Sequence, residues 1–380
     1  MKVVIAIDSL KGSLTSLEAG ESIREGILNV CKADVIVKPL ADGGEGTLDA
    51  LVTGMNGIIE SLEVTGPIGK KVKCTYGILP QTNTAIIEMA EISGLTLVPD
   101  DLRNPLNTTT YGMGEVIKAA INKGCRNFLI GIGGSATNDG GVGMLQALGF
   151  EFYDKNMELL GLGGKILSEI CYIKTEKRLL ELDECSFKVA CDVNNPLYGE
   201  NGATYVYGPQ KGVTPEMLKE FDLAMMNYAK IASRQLGINV DKVQGTGAAG
   251  GIGYAFLGLL NAELKSGIEI ILEEIKLEQE LMDADYVITG EGKLDFQTSM
   301  GKAPIGVARL SKKYNKKVIA FAGCITDGAV KCNEEGIDAY FSIVNSPMSL
   351  KNAMDKRTAR KNMTETASQV FRLINSIQKV

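Results

Sequence analysis

GIGGSATNDGGVGMLQALG, residues 131–149, is the stretch on which the fold turns. It runs from the apolar FLI (128–130) through a polar, glycine-crowded middle with Ser135, Thr137, Asn138 and Asp139 into the helical-looking GMLQALG. Glycine loses more backbone freedom on folding than any other residue, so such a loop is expected where the backbone must approach something closely. A strand, a glycine-rich loop and a helix make one step of an α/β fold. Loops at the carboxyl ends of strands are where open α/β sheets bind ligands.

The same rhythm extends in both directions. VVIAID (3–8) precedes a helix opened by a capping box, Thr15 with Glu18, and DVIVKPL (34–40) follows. Near the far end come ADYVITGEG (284–292), a helix around PIGVARLSKKY, KKVIAFAG (316–323), DAYFSIV (338–344) and an amphipathic helix near 363–377. This alternation predicts a largely parallel sheet. In the middle, VKCTYGIL and TAIIEMA flank PQTN as an antiparallel hairpin, and FEFYD and FKVACDV supply further strands. Thr214 as N-cap with Pro215 at the first helical position marks another helix. The expected organisation is one domain from residues 1–60 plus 284–380, with a second domain, 61–283, inserted.

Composition removes several classes of function. With 380 residues, 45% hydrophobic and 23% charged, the chain is long enough for two domains. Its net charge of -6, with no large cluster of Lys and Arg, argues against nucleic acid as a partner. No apolar run approaches the ~18 residues of a membrane span, so no membrane partner and a cytoplasmic location are expected. Histidine is absent, which removes the Ser-His-Asp triad, the phosphohistidine route and His-ligated zinc. Eight cysteines without a C-x-x-C pair read as reduced, buried thiols.

Five polar, glycine-bearing loops follow strand-like runs: DSLKGS (8–13), ADGGEGT (41–47), GGSATNDGG (133–141), CDVNNPLYG (191–199) and GEGKLDFQT (290–298). They offer the carboxylates Asp8, Asp42, Glu45, Asp139, Asp192, Glu291 and Asp295, and positive charge at Lys11, Lys293 and Lys302. Phosphoryl transfer needs such groups: a divalent ion on the phosphates, fixed positive charge, and a carboxylate to deprotonate the attacking hydroxyl. No P-loop motif is present. Gly131, Gly133 and Ala136 fit a dinucleotide fingerprint with Glu151 downstream, which keeps an NAD(P)-dependent 2-hydroxy-acid oxidoreductase as an alternative. TNDGG interrupts that fingerprint where its helix should run, and a chain without histidine lacks the usual proton donor. A non-catalytic two-domain protein binding small anions is the third class. A second match, Gly245, Gly247 and Gly250 in GTGAAGGIGYAFLG, reads as a helix start packed closely on its neighbours or as a substrate contact.

DSLKGSLTSLEA, PLADGGEGTLDAL, RNPLNTTTYGMGE, GIGGSATNDGGVGMLQALG, ACDVNNPLYGENGA, YGPQKG, GTGAAGGIGYAF and ITGEGKLDFQTSMGKAPIGVA together, in this order, resemble the bacterial glycerate kinase family over nearly the whole chain. Leu10 and Met113 depart from that pattern without touching a proposed chemical group. The resemblance implies ATP-dependent phosphorylation of D-glycerate, with transfer to the 2-hydroxyl and 2-phosphoglycerate as product, 3-phosphoglycerate remaining open. It also implies two different α/β domains, one Rossmann-like with a mainly parallel sheet and one with a mixed sheet, and an active-site cleft between them.

On this reading GGSATNDGG cradles an anion, either ATP phosphates or the glycerate carboxylate, through Gly133, Gly134, Ser135, Thr137, Asn138 and Asp139. Lys11 and Lys302 neutralise phosphate charge, and Asp42 and Glu45 hold Mg2+. Arg103 grips the substrate carboxylate. Ser9, Glu291, Gln297 and Thr298 are further binding candidates in their loops. Asp192, oriented by Asn194 and Asn195, is the expected base, and Asp295 is its rival.

Overall fold

The computed structural model describes residues 1–41, 51, 52 and 54–377. Its strands, in chain order, begin with β1 (Lys2–Ile7), β2 (Asp34–Pro39), β3 (Ile58–Thr65), β4 (Lys71–Leu79), β5 (Thr84–Glu88) and β6 (Asn127–Gly131). They continue with β7 (Glu151–Tyr153), β8 (Tyr172–Lys174), β9 (Ser186–Ala190), β10 (Glu263–Lys265), β11 (Tyr286–Leu294), β12 (Lys317–Ile325) and β13 (Ala339–Ser342). The chain divides into two compact units, Met1–Asn56 with Ile268–Val380, and Gly57–Gly267.

The first unit is built on a parallel sheet in the order β13-β12-β11-β1-β2. Val4 sits opposite Ile36 on one side and Val287 on the other, so β1 is central and its apolar run is buried. The helix Ser16–Leu28 starts with the expected capping box, Thr15 and Glu18 bonding each other's backbone. It buries Ala19, Ile23 and Ile27 with Met363, Ala367 and Phe371 of the C-terminal helix Lys356–Ile377. The two helices cross so closely that a Cβ on Gly26 would meet the Thr364 carbonyl. The C-terminal helix starts well before residue 363 because the Asp355 carboxylate accepts from the N–H and hydroxyl of Thr358, capping the first turn. From β1 the chain steps to β2 on one side and returns as β11 on the other, so the strand order reverses between β1 and β11.

The second unit carries a mixed sheet in the order β10-β9-β6-β5-β4-β3. β5, β6, β9 and β10 are parallel, and β3 and β4 are antiparallel to their neighbours. The expected hairpin is β4 and β5, with Leu79 opposite Thr84, extended by β3. FEFYD supplies the expected strand, β7, which pairs with β8 in a ribbon separate from the mixed sheet. The helix placed at Thr214 instead runs Leu218–Leu236. The Thr214 hydroxyl bonds Glu216 and its carbonyl closes a turn with Met217, so no cap forms there.

All eight cysteines are free thiols, but only Cys74, Cys125 and Cys332 are buried, and Cys324 is exposed. No helix among the described residues is long and apolar enough to cross a membrane.

Candidate active site

In the first unit the loops after β1 and β11 flank the point where the strand order reverses, and a cavity of about 610 Å³ opens there. Its charged lining is Asp8, Lys11, Glu291, Lys293, Asp295 and Lys302, with Ser9 and Gln297 alongside. The apolar lining comes from Ile343, Val344, Leu350, Ala353 and Met354. The first loop is held tightly: Asp8 N–H donates to the Gly290 carbonyl, Asp8 Oδ1 accepts from Ser9 N–H, and Leu10 and Leu14 exchange backbone bonds. The left-handed Gly12 closes this turn beside Met354.

The second loop is a charge network. Asp295 caps the short helix Phe296–Ser299, its Oδ1 accepting from the N–H groups of Gln297 and Thr298 at 2.9 and 3.2 Å. Its Oδ2 pairs with Lys293 Nζ at 3.0 Å, and that hydrogen bond chiefly holds the carboxyl below its usual range. Glu291 accepts from the Thr298 hydroxyl at 2.6 Å and lies 3.7 Å from Lys302 Nζ. Thr298 is itself buried, so it braces Glu291 from below.

In the second unit the glycine-rich loop follows β6, and CDVNNPLYG follows the neighbouring strand β9. Asp139 is buried. Its Oδ2 accepts from the Thr110 N–H and hydroxyl and from Gly143 N–H, and its Oδ1 accepts from Gly141 N–H. Burial raises its pKa against those four bonds. Asp139 therefore serves the loop, and the amides opening the helix Val142–Ala147 point at this carboxylate, not at a ligand. Thr137 and Asn138 are also turned inward, Asn138 Nδ2 donating to Thr204 Oγ1. Thr137 Oγ1 and Asn138 Oδ1 meet no partner among the described residues.

Within 133–141 only Gly133 and Gly134 are exposed. The backbone N–H groups of Gly133, Gly134 and Ser135 meet no acceptor among the described residues. GTGAAGGIGYAFLG backs this loop: Gly140 N–H donates to the Gly250 carbonyl, and a Cβ on Gly250 would overlap the Thr137 carbonyl. That second glycine cluster is close packing, as one of its two readings held.

Lys211 was missed by sequence reasoning. It is 2% exposed, and its Nζ donates to Ser135 Oγ at 2.8 Å and to the Thr137 carbonyl at 2.7 Å. Burial pushes its pKa down to about 7, partly offset by the Asp139 charge. The available signal was YGPQKG itself, where the left-handed Gly212 fixes Lys211 against the backbone of Arg103.

Asp192 stands exposed two residues beyond β9, its Oδ1 accepting from Gly267 N–H at 3.1 Å. Asn194 is exposed. Asn195 does not orient Asp192, because its amide donates to the Asn201 carbonyl and accepts from the Tyr207 hydroxyl. Arg103 pairs with Asp100 at 2.6 Å, leaving its buried Nε without a partner. Asp42 and Glu45 lie outside the described residues. Glu151 sits in the β7–β8 ribbon paired with Lys177, away from any strand that would place it on a dinucleotide ribose.

A parallel sheet whose reversal point holds lysines and carboxylates around one cavity, joined in the same chain to a mixed sheet with a glycine-rich loop, defines an α/β phosphotransferase without a P-loop. Comparison with known proteins gives the particular family. The chain matches the model of the glycerate kinase family over residues 3–375 and belongs to that family. It is 48% identical to a glycerate kinase of Haemophilus influenzae over 375 residues, covering 98% of this chain and 99% of that one. It is 46% identical to a glycerate 2-kinase of Escherichia coli, covering 93% of each. A crystal structure assigned as a glycerate kinase 2 from Salmonella typhimurium LT2 superposes over 100% of both chains with a TM-score of 0.89 at 44% identity.

Proposed function

We propose that the chain transfers the terminal phosphoryl group of ATP to the 2-hydroxyl of D-glycerate, giving 2-phosphoglycerate. The cavity at the strand reversal carries this reading. At about 610 Å³ it suits a nucleotide far better than a three-carbon acid, and it combines an apolar wall for a base with Lys11, Lys293 and Lys302 for phosphates. The name of the Escherichia coli relative supports the 2-hydroxyl as acceptor.

Each residue then has a task. Lys11 and Lys302 neutralise phosphate charge, while Asp295 and Glu291 hold Lys293 and Lys302 in place. The amides of Gly133, Gly134 and Ser135 receive the glycerate carboxylate, with Arg103 as a second contact. Asp192 takes the proton from the attacking hydroxyl. Mg2+ suits this donor set, because it keeps waters and phosphate oxygens and asks for only one or two carboxylates. No cluster of three or more metal-ligating side chains occurs among the described residues, and Asp42 and Glu45 are the proposed pair. When bound, the ion neutralises charge across the phosphates.

A coupled assay of ADP release across a panel of hydroxy acids tests the reading. ADP should appear only with D-glycerate, ATP and Mg2+ together, and phosphorus NMR should show the ester at carbon 2. Turnover with another acid in preference to glycerate, or reduction of NAD(P)+ by glycerate, would overturn it.

A further inference from the structure

Lys211 is not needed to fill space. A buried ammonium pays for its desolvation only when paired, and an apolar side chain of similar volume is commonly as stable in such a place or more so. Among the described residues Lys211 forms no ion pair. The charges that act on it from the packed elements reduce to Asp139, whose oxygens are all engaged by the loop and Thr110, and whose charge also acts on the buried Tyr228 hydroxyl.

The contacts of Lys211 are specific. One N–H fixes the Thr137 carbonyl in the middle of the loop, and another occupies the acceptor side of the Ser135 hydroxyl. A hydroxyl that accepts from an ammonium has its own hydrogen left to donate, and polarisation by the cation makes it a stronger donor. Ser135 adjoins the exposed Gly133 and Gly134, whose N–H groups are unmatched. Beneath that edge, Thr137 Oγ1 and Asn138 Oδ1 are buried and unpartnered, which is unusual in a loop serving only its own packing.

We propose that Lys211 is a positioning residue for the acceptor: from inside the second unit it sets the Ser135 hydroxyl as a donor beside the Gly133 and Gly134 amides, and this edge receives the glycerate carboxylate. The proposal rests on the glycerate reading above. Lys211 touches no substrate and acts through Ser135. The positive charge behind the edge weakens as the amine loses its proton near pH 7, so the edge holds an anion best on the acid side.

The test uses the full chain with Lys211→Met, Ser135→Ala and the double variant, each followed by steady-state kinetics, calorimetric titration with D-glycerate and thermal melting. Lys211→Met should raise the glycerate KM roughly 10–100-fold, leave the ATP KM within about twofold, and melt within a few degrees of wild type. The double variant should be no worse than the poorer single variant. In wild type, kcat/KM for glycerate should fall as pH rises through about 7, and Lys211→Met should abolish that limb. Equal glycerate binding by wild type and Lys211→Met, strictly additive effects of the two substitutions, or an equal rise in both KM values would overturn the role of Lys211 and leave the reaction standing. Wild type that binds glycerate without releasing ADP would overturn the kinase reading, and the comparison of binding by the variants would still decide Lys211. Wild type that neither binds glycerate nor turns it over would overturn both.

Discussion

Thr110 and Asp139 are joined twice: Asp139 Oδ2 accepts from the Thr110 backbone N–H at 2.8 Å and from its hydroxyl at 2.9 Å. With Gly141 and Gly143 on the same carboxylate, this ties the end of TTT (108–110) to the glycine-rich loop. Asparagine there keeps one acceptor oxygen and turns an NH2 group toward backbone donors. Asp139→Asn should therefore cost about 2–4 kcal/mol of stability, read as a lower denaturation midpoint. An unchanged midpoint would show that the carboxylate is not what holds the loop.

Lys211 gives a second stability prediction, with a defined sign. Its folded pKa, about 7, lies below the ordinary 10.5, so between these values the unfolded chain binds a proton that the folded chain does not. Stability should rise with pH across that window by up to about 1.4 kcal/mol per pH unit from this group, and the cost of the buried charge should be fully present below about pH 7. Melting curves of wild type and Lys211→Met between pH 6 and 9 should diverge accordingly. Parallel curves would mean that the amine is not perturbed.

The cavity at the strand reversal predicts a split in kinetic parameters. On the proposed reading, Lys11→Ala and Lys302→Ala each remove a charge-assisted contact to phosphate of about 1.5–3 kcal/mol, so each should raise the ATP KM roughly 10–100-fold. The glycerate KM should move much less. A larger effect on glycerate than on ATP would mean that the cavity takes the acid and that the nucleotide binds elsewhere.

How much of this was legible in the sequence depends on the scale of the interaction. The parallel sheet was readable because β1, β11 and β12 are buried on both faces and written as apolar runs. The capping box at Thr15 was readable because its two partners are three residues apart. Thr214 failed because the same side chain that caps a helix can bond Glu216 instead, and local sequence does not choose between them. The burial of Asp139, Thr137 and Asn138 was not legible, because polarity is visible in a sequence and burial is not. Lys211 was invisible for the complementary reason: its partners, Ser135 and Thr137, lie more than seventy positions away, and only the packed fold brings them to its ammonium.

A general base works best with a pKa near the operating pH and with its oxygen open to the hydroxyl it deprotonates. Asp295 meets neither condition well, since Lys293 holds its carboxyl low and two backbone N–H groups occupy Oδ1. Asp192 is exposed just beyond β9, on the strand next to the one that carries the glycine-rich loop, and the Gly267 N–H steadies one of its oxygens. Asp192→Asn should lower kcat roughly 10²–10⁴-fold while ATP affinity stays within about twofold and the fold is kept. Asp295→Asn should instead lose up to about 1 kcal/mol of cap stability and loosen Lys293, raising the ATP KM more than it lowers kcat. The measurement is kcat, nucleotide Kd and melting temperature on both variants in parallel. If Asp192→Asn keeps full activity and only melts earlier, its carboxylate merely fastens Gly267, and the proton must leave by another route.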